Sequence, residues 1–246
     1  MTNLQKLSAL SIFQKDYESA YDQLYWAIKE KGLQHGLRIE KSAVTSHYGK
    51  GNIIDTVYGT TIDLIDTALI VPIDLYKSLA HLANCNQESR RLSVCLGYGL
   101  RTVNADGSAS ITTGTHCPLY NTISLDIKAH RQLRNTKGVI KKRFAHEMLH
   151  EFGRNETEVL QCEQIYYEKI AEIVDLFINS ICIQLEMADT MLENSVNAVF
   201  AKDSDERKLL DRMYTELVRL GYPDLSEATI DLLNPIDNMW NTIHFL

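Results

Sequence analysis

The chain has 246 residues, 45% of them hydrophobic, which is enough apolar material to bury a substantial core. Its formal net charge is −7. Charges of both signs are mixed along the length, with no basic patch or arm, which argues against a nucleic-acid-binding role. No apolar run is long enough to span a bilayer, so no membrane role is expected. The start, Met1-Thr2-Asn3-Leu4-Gln5-Lys6, lacks the apolar core and cleavage site of a signal peptide. The five cysteines (Cys85, Cys95, Cys117, Cys162, Cys182) form no C-x-x-C pair and fit a reducing compartment, as small packed thiols. The protein is expected to be cytoplasmic where it is made, with export by a route lacking a cleaved Sec-type signal left open.

Leu4 to Lys31 reads as one amphipathic helix, with apolar positions from Leu4 through Phe13 and Tyr17 to Ile28 at spacings near three and four, ended by Gly32. Leu37-Arg38-Ile39 and Ala43-Val44-Thr45 read as strand, leading through the turn signal Gly49-Lys50-Gly51-Asn52 to Ile53–Tyr58. These glycines lack the rest of a P-loop, so a hairpin is the better reading than a phosphate cradle. Ile62 to Val71 fits strand or helix, and Pro72 starts a helix to about Asn84. Leu92 to Val103 and Ala109 to Thr115 read as a hairpin around Asn104-Ala105-Asp106-Gly107, and Tyr120 to Ile127 as one more strand. His130 lies in a polar stretch and is expected to be dispensable. Beyond about residue 156 the pattern is helical: one long periodicity from Glu156 to about Phe200, a helix capped by Ser204 or Asp205, and a short one capped by Ser226. No repeat or linker interrupts the chain, so one domain over 1–246 is the simplest reading. The fold class is α+β, with a small antiparallel or mixed sheet and a helical carboxy-terminal half.

The stretch that carries chemistry is Arg143-Phe144-Ala145-His146-Glu147-Met148-Leu149-His150-Glu151-Phe152-Gly153-Arg154-Asn155-Glu156. Positions four apart share one face of a helix, so His146 and His150 aim two imidazoles at one point. Glu147 sits one residue round from the first. Two such histidines bind zinc, and the glutamate serves as general base on the zinc-bound water. By chance an H-E-x-x-H arises in about 2 of 100 shuffled versions of this chain, so context matters. Ile140, Phe144, Met148, Leu149 and Phe152 supply it, as an apolar stripe at helical spacing. The bland alternative is a solvated helix with two surface histidines and no metal.

A catalytic zinc takes three protein ligands and leaves a position open. Gly153 suits a sharp turn out of the helix, Asn155 suits the next N-cap, and Glu158 completes a variant capping box. That leaves Glu156, in the first turn, as first choice for the third ligand and Glu158 as second. Glu163, Asp175 and Glu186 remain open.

His146-Glu147-x-x-His150-x-x-Gly153-x-x-Glu156 resembles the zincin metallopeptidases, with spacing similar to the metzincin pattern, over about Val139 to Glu163. Metzincins have His or Asp where this chain has Glu156. The layout also resembles small zinc peptidases that pathogenic bacteria inject into host cells as virulence effectors. The resemblance implies a zincin-like domain and a zinc-dependent endopeptidase acting on a protein or peptide substrate, in a host cell or in its own. It implies an edge strand beside the active-site helix that takes substrate as an added strand, for which Tyr120 to Ile127 is the candidate. It implies a methionine turn, for which Met239 is the candidate, and an oxyanion-stabilising donor among Tyr166, Tyr167, Tyr214, Tyr222, His116 and His244. A Cys117–His116 nucleophile lacks an orienting partner and is set aside. The rival from another class is a non-enzymatic helical interaction module with a structural zinc or none. Oligomeric state is not legible.

Overall fold

The computed structural model describes residues 23, 25–45, 56–98, 100–103 and 109–209. The protein is α+β. A five-stranded sheet has the strand order β1-β2-β3-β7-β6, and β4 and β5 form a separate two-stranded sheet. The strands are β1 (Leu37–Thr45), β2 (Thr56–Ile70), β3 (Ser93–Tyr98), β4 (Arg101–Val103), β5 (Ala109–Ile111), β6 (Gly114–Cys117) and β7 (Thr122–Asp126). The helices are α1 (25–34), α2 (Ile73–Leu82), α3 (Ile127–Arg131), α4 (Thr136–Glu151), α5 (Glu156–Ile170) and α6 (Asp175–Val199). Asp63–Thr102 and Ile111–Met191 form one compact unit; the described residues of Met1–Ile62, Val103–Ser110 and Leu192–Leu246 form the other.

In the first of these units, β7 lies inside the sheet, parallel to β3 and antiparallel to β6. All five of its residues are buried. Alternation sorts them: Ile123 and Leu125 face one side, Thr122, Ser124 and Asp126 the other. The polar set is satisfied locally. Thr122 shares a 3.2 Å hydroxyl contact with Ser93, Ser124 lies 3.5 Å from Cys95 Sγ, and Asp126 caps α3 by accepting from the Ala129 N–H at 2.8 Å. Register places Gly114 opposite Leu125 and His116 opposite Ile123, so these share the face that carries α4. Cys117 pairs with Thr122 on the opposite face, which separates it from His116.

Helix α4 begins at Asn135, whose Oδ1 accepts from the Gly138 N–H at 3.1 Å. Its fully buried stripe, Ile140, Phe144, Ala145, Met148 and Leu149, closes the core, with Phe144 against the Phe177 ring of α6 at 5.6 Å. Truncating Phe144 to alanine there would remove about 3–5 kcal/mol.

Several sequence expectations change. The edge strand beside α4 is β6, Gly114–Cys117, because β7, within Tyr120 to Ile127, has a neighbour on each side and no free edge. The run from Glu156 to Phe200 breaks at 171–174 into α5 and α6. A short helix, α3, follows β7 at once. His130 lies on α3 and is wholly buried, not part of a solvated stretch. Ile62–Val71 resolves to strand, and the helix after Pro72 stops at Leu82.

In the other unit, α1 continues past Gly32 and turns at Gly36, whose φ is 75°. Gly32 serves close approach instead: a Cβ there would meet Ile39 Cδ1 at 2.8 Å. Lys29 pairs with Glu40 at 3.2 Å, and the Ser204 hydroxyl accepts from the Arg207 N–H at 3.1 Å, the expected cap. The expected helix before residue 23, the Gly49–Asn52 turn, the Asn104–Gly107 turn, the Ser226 cap and Met239 lie outside the described residues. No helix among the described residues is long and apolar enough to cross a membrane.

Candidate metal centre

Both histidines sit on the last two turns of α4, and the geometry of that end follows from local sequence. Phe152 closes the helix and Gly153 takes φ 82°, the left-handed region open to glycine. The Gly153 N–H then donates to His150 O at 2.9 Å and the Arg154 N–H to Leu149 O at 3.1 Å, the paired bonds of a Schellman turn. The turn aims the Arg154 carbonyl back at His150, whose Nδ1–H donates to it at 2.9 Å. Asn155 then starts α5 with a complete capping box. Its side chain accepts from the Glu158 N–H at 3.1 Å, and Glu158 Oε2 accepts from the Asn155 N–H at 2.9 Å. Glu158 is thus engaged at the cap, and Glu156 points back toward α4.

Three ligand atoms converge. His146 Nε2 and His150 Nε2 are 3.2 Å apart. Glu156 Oε2 lies 3.1 Å from His150 Nε2 and 3.6 Å from His146 Nε2. Among the described residues this is the one set of three His, Cys, Asp or Glu whose ligand atoms all lie within 4.8 Å of one another. Four ligands about 2.0–2.1 Å from a tetrahedral zinc stand about 3.3 Å apart, so the spacings match a zinc site.

The tautomers sharpen the test. His146 Nδ1 donates to Glu163 Oε2 at 2.8 Å, as His150 Nδ1 does to the Arg154 carbonyl. In neutral rings with each Nδ1 carrying the proton, both Nε2 atoms present lone pairs to each other and to a carboxylate oxygen. In that state three acceptors meet with no donor between them, a repulsive arrangement that a cation would relieve. Glu163 thus meets His146 at Nδ1, on the far side of the ring from the three converging atoms. Asp175, on α6, pairs with Lys137 and Lys141 instead.

Glu147 and Glu151 lie one turn apart on the side of α4 facing β6. Glu147 is 3% exposed, and burial pushes its carboxyl up to about 7, partly offset by Arg143, His150 and His116. Arg143 Nη1 is 3.7 Å from Glu147 Oε1, a long contact that does not outweigh burial. The edge strand crosses here without a side chain: a Cβ on Gly114 would meet Arg143 Cγ at 2.6 Å and Glu147 Oε1 at 3.0 Å.

Glu151 was not singled out by the sequence. It is 2% exposed and receives the Tyr76 hydroxyl at 2.7 Å and two Arg90 bonds at 2.6 and 2.5 Å. His116 Nε2 touches its Oε2 at 2.8 Å, close enough for an ion pair but off the line of a hydrogen bond. Burial raises its carboxyl, and contacts with His116, Arg90 and Tyr76 outweigh this, holding it at about 2. The network ties α4 to α2, to the segment before β3, and to β6. Its only sequence signal is a glutamate four residues after Glu147 on the same helical face.

The oxyanion candidates divide. Tyr166 is buried with its hydroxyl donating to Leu79 O at 3.2 Å, and His116 is held by Glu151, so neither is open to a substrate. Tyr167 lines the cleft beside His146 and Glu156. Tyr214, Tyr222 and His244 lie outside the described residues. No family model, curated protein or solved structure matches the chain, so the reading of this site rests on its own residues.

Proposed function

We propose that the chain is a zinc-dependent endopeptidase, with His146, His150 and Glu156 holding the metal and Glu147 as general base. The observation that carries this is the convergence of two Nε2 lone pairs and the Glu156 carboxylate, 3.1 to 3.6 Å apart, beside a buried glutamate that is not among them. Glu158 and Glu163 are engaged elsewhere, and the Glu156 side chain is 62% exposed, leaving the centre open on one side. Three ligands with an open side suit a catalytic zinc better than a closed structural one.

Zinc bound there would polarise the scissile carbonyl and bring water to nucleophilic strength near neutral pH. The chain's own groups do the rest. Glu147 accepts a proton from the attacking water on its carboxylate and passes it to the departing amine nitrogen. Burial raises the Glu147 carboxyl, which makes it a stronger base than a solvated glutamate and suits it to take the proton. Glu163 and the Arg154 carbonyl hold the two imidazoles in the tautomer that presents Nε2. Among the described residues β6 ends the sheet, and its outer edge is the place for an extended substrate to add as a strand, with Gly114 keeping that strand close over Glu147.

The test is cleavage of unfolded proteins by zinc-loaded wild type and by Glu147→Gln. Turnover should fall at least about a hundredfold in the variant with zinc content unchanged. Equal cleavage by both would exclude Glu147 as the base. The protein cut in cells then separates an exported peptidase acting in a host from one acting on its own cell.

A further inference from the structure

We propose that the groove leading from the metal centre between α4 and α5 receives an acidic side chain of the cleaved polypeptide, and that Lys142 selects it; this rests on the endopeptidase reading above. A cleft of ≈ 510 Å³ opens here, walled by Asn135, Lys142 and His146 of α4 and by Glu156, Leu160 and Tyr167 of α5. Each set repeats at helical spacing, so each is one continuous face. From His146 back to Asn135 the groove follows α4 for about 16 Å, the length of four or five extended residues. A peptide cut at the metal centre therefore has room to lay its next few residues along it.

The charges in the groove are not equally available. Glu156 is turned to the His150 Nε2 and Glu163 to the His146 Nδ1. The Arg143 stem lies close beneath Gly114, and its guanidinium is directed toward Glu147. Lys142 is exposed and has no ion-pair partner among the described residues. The groove runs out at the amino-terminal end of α4, where the helix dipole adds positive potential. On the α5 side of the same cleft, Leu160 is 61% exposed and shares a helical face with Tyr167, apolar surface that the methylenes of a glutamate side chain would cover. An accessible cation and apolar surface lining one cleft beside a metal centre complement an acidic residue a few positions from the scissile bond.

The experiment uses zinc-loaded Glu147→Gln protein, which would hold peptides without cutting them, and a random-sequence decapeptide library, with retained peptides sequenced by mass spectrometry. Asp and Glu should be enriched about tenfold over Lys and Arg at one position. Adding Lys142→Glu should reverse the preference with zinc content unchanged; this side chain is exposed, so the fold should tolerate the change. Retention of apolar residues alone, acidic enrichment indifferent to Lys142→Glu, or no retention would each overturn the proposal. Cleavage of the same library by wild type keeps the two readings apart. Cutting without acidic preference removes the groove's role and leaves the peptidase, whereas acidic retention without cutting removes the peptidase and leaves the groove.

Discussion

Glu147 and Glu151 are the same residue type, one turn apart on the same side of α4 and almost equally buried at 3% and 2%. Their carboxyls are displaced in opposite directions, to about 7 and about 2. Partners account for the difference. Glu151 is gripped by Arg90, Tyr76 and His116, which together outweigh its burial, whereas Glu147 has one ion pair, to Arg143 at 3.7 Å, and this with the more distant His150 and His116 offsets its desolvation only in part. One carboxylate anchors the helix end and the other can exchange a proton. The strand Gly114–Cys117 serves both: His116 reaches Glu151, and Gly114 leaves Glu147 and Arg143 their space.

If burial is what displaces Glu147, the same should hold for His130. It is fully buried on α3, and neither ring nitrogen has a hydrogen-bond partner. Burial, helped by Arg143, lowers its pKa to about 4, so folding favours the neutral ring. Its contribution is complete above the ordinary value near 6.5 and is lost as pH falls from there through 4. The loss approaches about 3 kcal/mol. Urea unfolding across that range should show wild type losing this much more stability than His130→Leu. Parallel pH profiles for the two proteins would break the argument.

The other side of the comparison is tested at Glu151. Arg90→Ala removes two charge-assisted bonds from a buried carboxylate and should lower unfolding free energy by about 1.5–3 kcal/mol, a figure kept modest because Arg90 is one-third exposed. A loss near zero in chemical denaturation would mean that Tyr76 and His116 suffice. A smaller effect is expected at Glu163, which acts on the metal only through His146. Glu163→Ala should weaken zinc affinity about 10- to 100-fold in competition with a chelator, and an unchanged affinity would remove its orienting role.

Short-range chemistry was legible in the sequence. The i, i+4 histidines, Gly153 as the left-handed turn, and the Asn155–Glu158 box that releases Glu156 each depend on residues within a few positions of one another. The break at 171–174 was not, because Ala171-Glu172-Ile173-Val174 contains neither glycine nor proline and continues the apolar spacing. Gly32 was misread because a glycine at the end of a basic helical turn looks like a stop, when its use is contact with Ile39. The choice of β6 over β7 as edge depends on β3 pairing with β7 across 29 positions, and the partners of Glu151 lie 35 to 75 positions away. No local pattern encodes those. His130 among polar neighbours looked solvated for the same reason: what buries it comes from elsewhere in the chain.

The most direct test is zinc content by elemental analysis on metal-supplemented wild type, Glu147→Gln, His146→Ala, Glu156→Ala and Glu158→Ala. Near one zinc per chain in wild type, Glu147→Gln and Glu158→Ala, with loss in His146→Ala and Glu156→Ala, is the predicted result. Wild type without zinc, or loss in Glu158→Ala with retention in Glu156→Ala, would contradict the His146–His150–Glu156 centre.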